Sequence, residues 1–205
     1  QNHGNHHHHR NRHHHHNCHS GNHHNHGGCH GPVNNQGGDQ VITTYVTDAV
    51  IEETDSGYDA VYSSITYSLT DHVEELHLTG TDDYDGTGND LNNLIVGNSG
   101  DNILEGGLGN DLLNGGEGDD SYLFNAGDGN DTIYNYDPTG IDRILFGDTI
   151  DSSQVAFFDN GNHLQIGYGN DDRVTANFFF ADPGKQIDEI QLADGKYLTD
   201  ADINQ

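Results

Sequence analysis

Acidic and amide side chains recur at a fixed spacing in the middle of the sequence. Residues 88–123 divide into four blocks of nine, and the sixth positions of these blocks are Asn93, Asn102, Asp111 and Asp120. Carboxylate and backbone carbonyl oxygens are the hard ligands that Ca²⁺ prefers in proteins. A carboxylate or amide oxygen at every ninth residue therefore predicts a row of calcium sites. The alternative interpretation, polar turns of an ordinary β-sheet, does not require such a period.

The other positions of each block indicate how these side chains are held. The first six residues follow the pattern G-G-x-G-x-D, a turn whose glycines need positive φ angles. The last three form a short strand with an apolar eighth position: Ile95, Leu104, Leu113 and Tyr122. Two blocks complete one coil, so alternate turns stack on one edge and their oxygens converge on Ca²⁺ at roughly 2.3–2.6 Å. We therefore expect folding to be coupled to calcium.

These blocks resemble a known family. GGLGNDLLNGGEGDDSYL (residues 106–123) is similar to the haemolysin-type calcium-binding repeats of RTX proteins. The segment from DAVIEE to the repeats resembles the stretch that often precedes them, and DRILFGDTI, LQIGY and IDEIQLADGKYLT resemble the β-rich module that often follows. The resemblance covers about residues 39–200. It implies an all-β protein, a parallel β-roll or β-solenoid with Ca²⁺-binding nonapeptide turns and a β-rich C-terminal cap.

Two positions depart from the family pattern, because Asn93 and Asn102 stand where the consensus has Asp. A neutral Asn favours a ladder of side chains along the stack, so we expect ions to begin where Asp111 and Asp120 appear. A looser fifth block, AGDGNDTIY, contributes Asp131, which is predicted to share an edge with Asp111.

Further ligands follow from the same stacking. Asp120 is predicted to share its edge with the turn at Asp101 and Asn102, and Asp142 to extend one edge further. Glycine carbonyls are expected to complete the coordination shells. The predicted calcium ligands are Asp101, Asn102, Gly107, Gly109, Asp111, Gly116, Gly118, Asp120, Gly129, Asp131 and Asp142.

The chain divides into four parts by composition. Residues 1–38 are a His/Asn/Gly-rich arm, 39–79 read as short strands that lead into the solenoid, 80–145 are the β-roll and 146–205 the C-terminal cap module. The strand prediction for 39–79 rests on apolar and polar residues that alternate in QVITTYV, DAVIEE, DAVYSSITYSL and VEELHLTG.

Charge is partitioned between the arm and the rest of the chain. All 34 acidic residues lie at or after Asp39, where four basic residues oppose them, so the body carries −30. Such a body is unsuited to nucleic acid, whose phosphates require Lys and Arg. No apolar run approaches the ~20 residues of a membrane-spanning helix. We expect an extracellular protein, secreted or at the cell surface.

Catalytic patterns are scarce. The sequence contains neither H-E-x-x-H nor G-x-S-x-G. His72, His77 and His163 are isolated, and calcium accounts for the abundant carboxylates. We expect no enzymatic activity.

The arm holds fourteen of the seventeen histidines and has three interpretations. The first is an affinity tag, although other residues interrupt its runs of histidine. The second is a flexible tail, which is the default for such a composition. The third is an arm held by metals, by a Cys18–Cys29 disulfide or by a neighbouring subunit. We favour the third. Cys18 and Cys29 are alternatively metal thiolates, and the imidazoles suit Cu, Zn, Ni or Fe, including haem. The candidate transition-metal ligands are His3, His6, His7, His8, His9, His13, His14, His15, His16, His19, His23, His24, His26 and His30.

These patterns lead to one preferred function and two alternatives. We expect a non-enzymatic, secreted calcium-binding β-roll that self-assembles into an extracellular filament or surface layer. An acid-free arm on the acidic body of the next subunit would give head-to-tail contacts, which do not close. The alternatives are a transition-metal or haem-binding redox protein on an RTX scaffold, and the calcium-folded C-terminal part of a larger RTX enzyme or adhesin.

Overall fold

The described chain consists of short strands. A computed structural model describes residues 33–34, 41–44, 50–51, 57–169, 171–182 and 187–203. In these residues the elements are β1 (Val33–Asn34), β2 (Val41–Thr44), β3 (Val50–Ile51), β4 (Ala60–Ser63), β5 (Tyr67–Ser68), β6 (Glu75–Leu78), β7 (Gly86–Thr87), β8 (Leu94–Val96), β9 (Ile103–Glu105), β10 (Leu112–Asn114), β11 (Ser121–Phe124), β12 (Asn130–Ile133), β13 (Arg143–Phe146), β14 (Ala156–Asn160), β15 (His163–Tyr168), β16 (Asp172–Ala176), β17 (Glu189–Gln191), β18 (Tyr197–Thr199) and α1 (Asp200–Ile203).

Successive strands of the repeat alternate between two sheets. The nine-stranded sheet has the order β14-β15-β16-β12-β10-β8-β6-β4-β2, and the seven-stranded sheet has the order β18-β17-β13-β11-β9-β7-β5. Strands from β4 to β13 pair in parallel with the strands two places away. The chain therefore winds as a parallel β-roll, which confirms the predicted fold.

The core is a single file of side chains between the sheets. Within the repeat, stacked positions are 18 residues apart, as at Asn93 and Asp111. The middle residue of each short strand points inward and is fully buried, as for Ile95, Leu104 and Leu113. A core this thin buries little apolar surface per coil, so the turns at its edges must contribute to stability.

The stack continues beyond the repeat. β16 pairs in parallel with β12, and β17 pairs in parallel with β13. β14, β15 and β18 add antiparallel strands at the end of each sheet. The rings of Phe124, Phe146 and Tyr168 pack between these layers, with centroids 5.0 Å apart for Phe146 and Tyr168.

Each of the four stretches predicted as strands before the repeat contains a strand, from β2 to β6. The predicted arm, except for Val33 and Asn34, lies outside the described residues. In the part of the chain that the structure describes, no helix has the length and apolar character needed to cross a membrane.

Candidate calcium sites

The sixth-position side chains form a column along each edge of the roll. We call the turns that precede β8 and β10, together with the start of β12, the even edge, whose column contains Asn93, Asp111 and Asp131. Asn93 N donates to Asp111 Oδ1 at 2.7 Å, and Asp111 N donates to Asp131 Oδ1 at 2.9 Å. The structure thus places Asp111 and Asp131 next to each other.

The turns that precede β9, β11, β13 and β17 form the odd edge. Asn102 N donates to Asp120 Oδ1 at 2.9 Å, and Asp120 N donates to Asp142 Oδ1 at 3.0 Å. Asp142 N donates in turn to Asp188 Oδ2 at 2.9 Å. Asp120 therefore neighbours Asn102, whereas Asp101 is exposed on the outside of the same turn.

An asparagine with a fully engaged amide begins each column. Asn93 Oδ1 accepts a bond from Asn89 N at 2.8 Å, while Asn93 Nδ2 donates to Val73 O at 3.0 Å. Asn102 Nδ2 donates to Tyr84 O at 2.6 Å. In these first intervals a neutral N–H donor contacts the carbonyl oxygens of the preceding coil. A cation would fill the same role where the residue is Asp.

Three aspartates each leave one buried oxygen unpaired. Oδ2 of Asp111, Asp120 and Asp131 has no partner in hydrogen-bonding geometry. Burial raises the pKa of each carboxyl to about 7. The buried hydroxyl of Tyr168 nevertheless lies close enough to the Asp131 carboxyl to oppose this rise in pKa, which distinguishes Asp131 from the other two. A buried carboxylate is costly unless it is paired or binds a metal. These three oxygens therefore fit a cation in the intervals between the turns.

Asp142 is in a different environment. Its Oδ1 accepts the bond from Asp120 N, and its Oδ2 accepts a bond from Asn135 Nδ2 at 2.6 Å. Burial still raises the pKa of Asp142, to about 6. Because the Asn135 amide already donates to Oδ2, a cation would stabilise Asp142 less than Asp120. The role of Asp142 as a calcium ligand stays a prediction.

The predicted glycine ligands line the intervals between stacked turns. A Cβ on Gly118 would lie 2.7 Å from Gly100 O, and a Cβ on Gly129 would overlap Gly109 O. In the described residues, no three His, Cys, Asp or Glu side chains gather around one point. A cation here would therefore bind carbonyl oxygens together with at most two carboxylates. Positive φ angles occur at Gly107, Gly109, Gly116, Gly118 and Gly129.

Sequence reasoning missed several acidic residues of the turns, among them Asp188, Asp128 and Asp137, whose Oδ2 accepts a bond from Gly118 N at 3.0 Å. Asp188 extends the odd column, and the signal was the repetition of I-D-R-I (141–144) as I-D-E-I (187–190). Asp128 is buried on the even edge, where its Oδ2 accepts a bond from Asn125 N at 2.6 Å. Burial raises the pKa of Asp128 to about 6.

The residues of the predicted transition-metal site, including Cys18 and Cys29, lie outside the described residues. Among the three histidines outside the arm, His77 lies on the outer face of the nine-stranded sheet. Its ring stacks on Tyr62 with 4.6 Å between centroids, and its Nε2 is 3.1 Å from Glu75 Oε2.

Stacked parallel coils with carboxylates and glycines in their turns define the class of parallel β-rolls. The family model described as RTX calcium-binding nonapeptide repeat (4 copies) matches residues 87–122 and 123–135. Residues 87–135 are therefore RTX nonapeptide repeats, a kind of repeat that binds Ca²⁺.

One curated relative is the iron-regulated protein FrpA of Neisseria meningitidis serogroup C. It is 38% identical over 91 residues, which make up 42% of this chain and 8% of the relative. The chain thus matches less than a tenth of the relative's length.

Proposed function

We propose that this β-roll binds Ca²⁺ between stacked turns and that the ions complete its fold. The observation that carries the proposal is the set of unpaired, buried Oδ2 atoms of Asp111, Asp120 and Asp131. The carbonyls of Gly107, Gly109, Gly116, Gly118 and Gly129 are the remaining proposed ligands. Bound Ca²⁺ would supply positive charge to these oxygens, and the protein's part is to hold them in register.

Counting bound ions tests this proposal. Wild type and the single variants Asp111→Asn, Asp120→Asn and Asp131→Asn are dialysed against Ca²⁺, and the calcium per chain is measured. Each variant is expected to bind less calcium than wild type. Asp90→Asn, an exposed residue outside the columns, is the matched control and should bind the wild-type amount. Wild-type stoichiometry in all three variants contradicts the proposed sites.

We further propose that the protein has no enzymatic activity, works outside the cell and assembles with copies of itself. β14 is the contact that we propose. It ends the nine-stranded sheet, and all five of its residues are exposed. Phe157 and Phe158 lie on opposite faces of this strand, 37% and 51% exposed. An exposed apolar edge strand is a template for pairing with another chain.

A second copy is the partner that fits this edge. Residues 155–158 carry no charge in a chain of net charge −28, so two copies can approach there with the least repulsion. Antiparallel pairing of Phe157 with Phe157 of a second copy sets Phe158 opposite Ala156 and Asp159 opposite Val155, which keeps the two Asp159 carboxylates apart. Such a contact makes a dimer. The acid-free arm on an acidic neighbour would be the second contact that extends dimers into filaments.

Electron microscopy with Ca²⁺ and with a chelator tests assembly. We expect filaments or sheets with Ca²⁺, and monodisperse monomers in both conditions contradict the proposal. Phe158→Lys is expected to abolish the β14 contact. Tyr197→Lys, an equally exposed aromatic residue on β18, is the control and should assemble normally.

A second candidate function has support from one comparison. The match to FrpA covers 8% of that relative, which favours a β-roll that serves as a calcium-folded module of a larger protein. The intact mass of the protein from its native source distinguishes the two, because a substantially longer chain supports the module.

A further inference from the structure

A second set of side chains, at the fifth position of each block, forms an exposed outer row on both edges. The two rows differ in charge. The odd edge presents Asp101 and Asp119, and Asp83 continues this row one coil earlier, before the first block. The even edge presents Asn92, Asn110 and Asn130.

The backbone geometry of the two rows is the same. On the odd edge, Asp119 N donates to Asp101 Oδ1 at 2.9 Å. On the even edge, Asn110 N donates to Asn92 Oδ1 at 2.8 Å. Since Oδ1 accepts the same bond in both rows, Asn satisfies the structural requirement at this position. The carboxylates of the odd edge therefore add charge that the stacking of the turns does not need.

We propose that the outer carboxylates make the odd edge the tighter calcium edge, so that it fills before the even edge. This inference rests on the proposed calcium function and concerns the order and strength of binding. Stacked positions of a β-ladder are about 4.8 Å apart, so Asp83, Asp101 and Asp119 form a line of negative charge beside the inner column. A divalent cation is drawn to such a line, and the even edge has no counterpart in its outer row.

The charges around the inner carboxylates agree with this difference. Asp120 lies close to Asp142, Asp101 and Asp137, whose charges raise its pKa in addition to the main effect of burial. Asp111 has two carboxylates near it, those of Asp128 and of its column neighbour Asp131. The cation position beside Asp120 is thus surrounded by more negative charge than the one beside Asp111.

Exposure of the outer row gives the effect a salt dependence. Exposed charges are screened over about 10 Å at 0.1 M salt and over about 3 Å at 1 M. The advantage of the odd edge should therefore be largest at low ionic strength and should shrink as salt is added. The intrinsic affinity of the even edge should change less, because its outer row is neutral.

Calorimetric titration of the full chain with CaCl₂ tests the proposal. Wild type is expected to bind in two affinity classes at low salt. Asp120→Asn should remove ions of the tighter class and Asp111→Asn ions of the weaker class, which assigns each class to an edge.

The outer rows are then exchanged. Asp101→Asn with Asp119→Asn should weaken the tighter class at least about fivefold at low salt, because fivefold is the effect of a single pair of unit charges about 4 Å apart in water, and should leave the weaker class unchanged. Asn92→Asp with Asn110→Asp should strengthen the weaker class by a similar factor. Asn at the outer position is native to the even edge, so both variants are expected to fold.

Two results overturn the inference. One is an unchanged isotherm for the Asp101→Asn, Asp119→Asn variant, and the other is an equal weakening of both classes. A wild-type protein that binds no Ca²⁺ would instead refute the proposed function, so the two failures are distinguishable.

Discussion

Replacing Asp120 by Asn is expected to change stability in opposite directions with and without calcium. Burial raises the pKa of Asp120 from 3.8 to about 7. Each pKa unit corresponds to about 1.4 kcal/mol, so ionised Asp120 costs the calcium-free fold at most about 4 kcal/mol above pH 7. Solvent screening reduces such contributions, and we expect about 2 kcal/mol. The amide introduced by Asp120→Asn would keep an oxygen for Asn102 N and remove this cost.

Thermal unfolding at pH 8, followed by circular dichroism, measures the effect. In a chelator, Asp120→Asn should melt above wild type by about 4–8 °C, the shift expected for about 2 kcal/mol in a domain of this size. In saturating Ca²⁺ the order should reverse, because the variant has lost a ligand. Asp90→Asn should change neither melting temperature by as much. A variant less stable than wild type in the chelator would refute the reasoning.

Three further outcomes are expected. Asn102→Asp would replace the amide that donates to Tyr84 O by a carboxylate. Urea unfolding in chelator should therefore show a free energy of unfolding lower by about 1–3 kcal/mol, and the calcium bound per chain should rise. Calcium-free wild type should melt at higher temperature as pH falls from 8 to 5. Between about pH 4 and 7 the native state binds more protons than the unfolded chain, because burial raises the pKa of Asp111, Asp120 and Asp131. The melting temperature of the calcium-loaded protein should instead fall over the same pH range. Gly118→Ala, at φ 119° with its Cβ 2.7 Å from Gly100 O, should cost more than about 1 kcal/mol in the same urea assay.

The sequence predicted the fold where the coil length is constant. A strict nine-residue period assigns every residue of 88–123 to a turn or a strand, which is why the roll could be read from one chain. After Leu123 the coils change length, since Asp131 lies 20 residues after Asp111 and β16 pairs with β12 across an insertion. Which strand stacks next is then decided by tertiary packing.

The candidate sites were partly predictable for the same reason. Position in the block identified the inner columns, but it gave no sign that Asn135 binds Asp142 Oδ2, because that contact depends on the path of an irregular loop. Asp188 lay 46 residues from its neighbour Asp142. Asp101, next to the column in sequence, points to the outside, as alternate residues of an extended segment do.

The most direct test of the account is a crystal structure of the calcium-loaded protein with anomalous scattering from calcium. We predict anomalous peaks roughly 2.3–2.6 Å from Oδ2 of Asp111, Asp120 and Asp131, and none in the intervals closed by Asn93 and Asn102. Peaks only elsewhere, or none beside these three oxygens, would contradict the central claim that calcium completes the stacked turns.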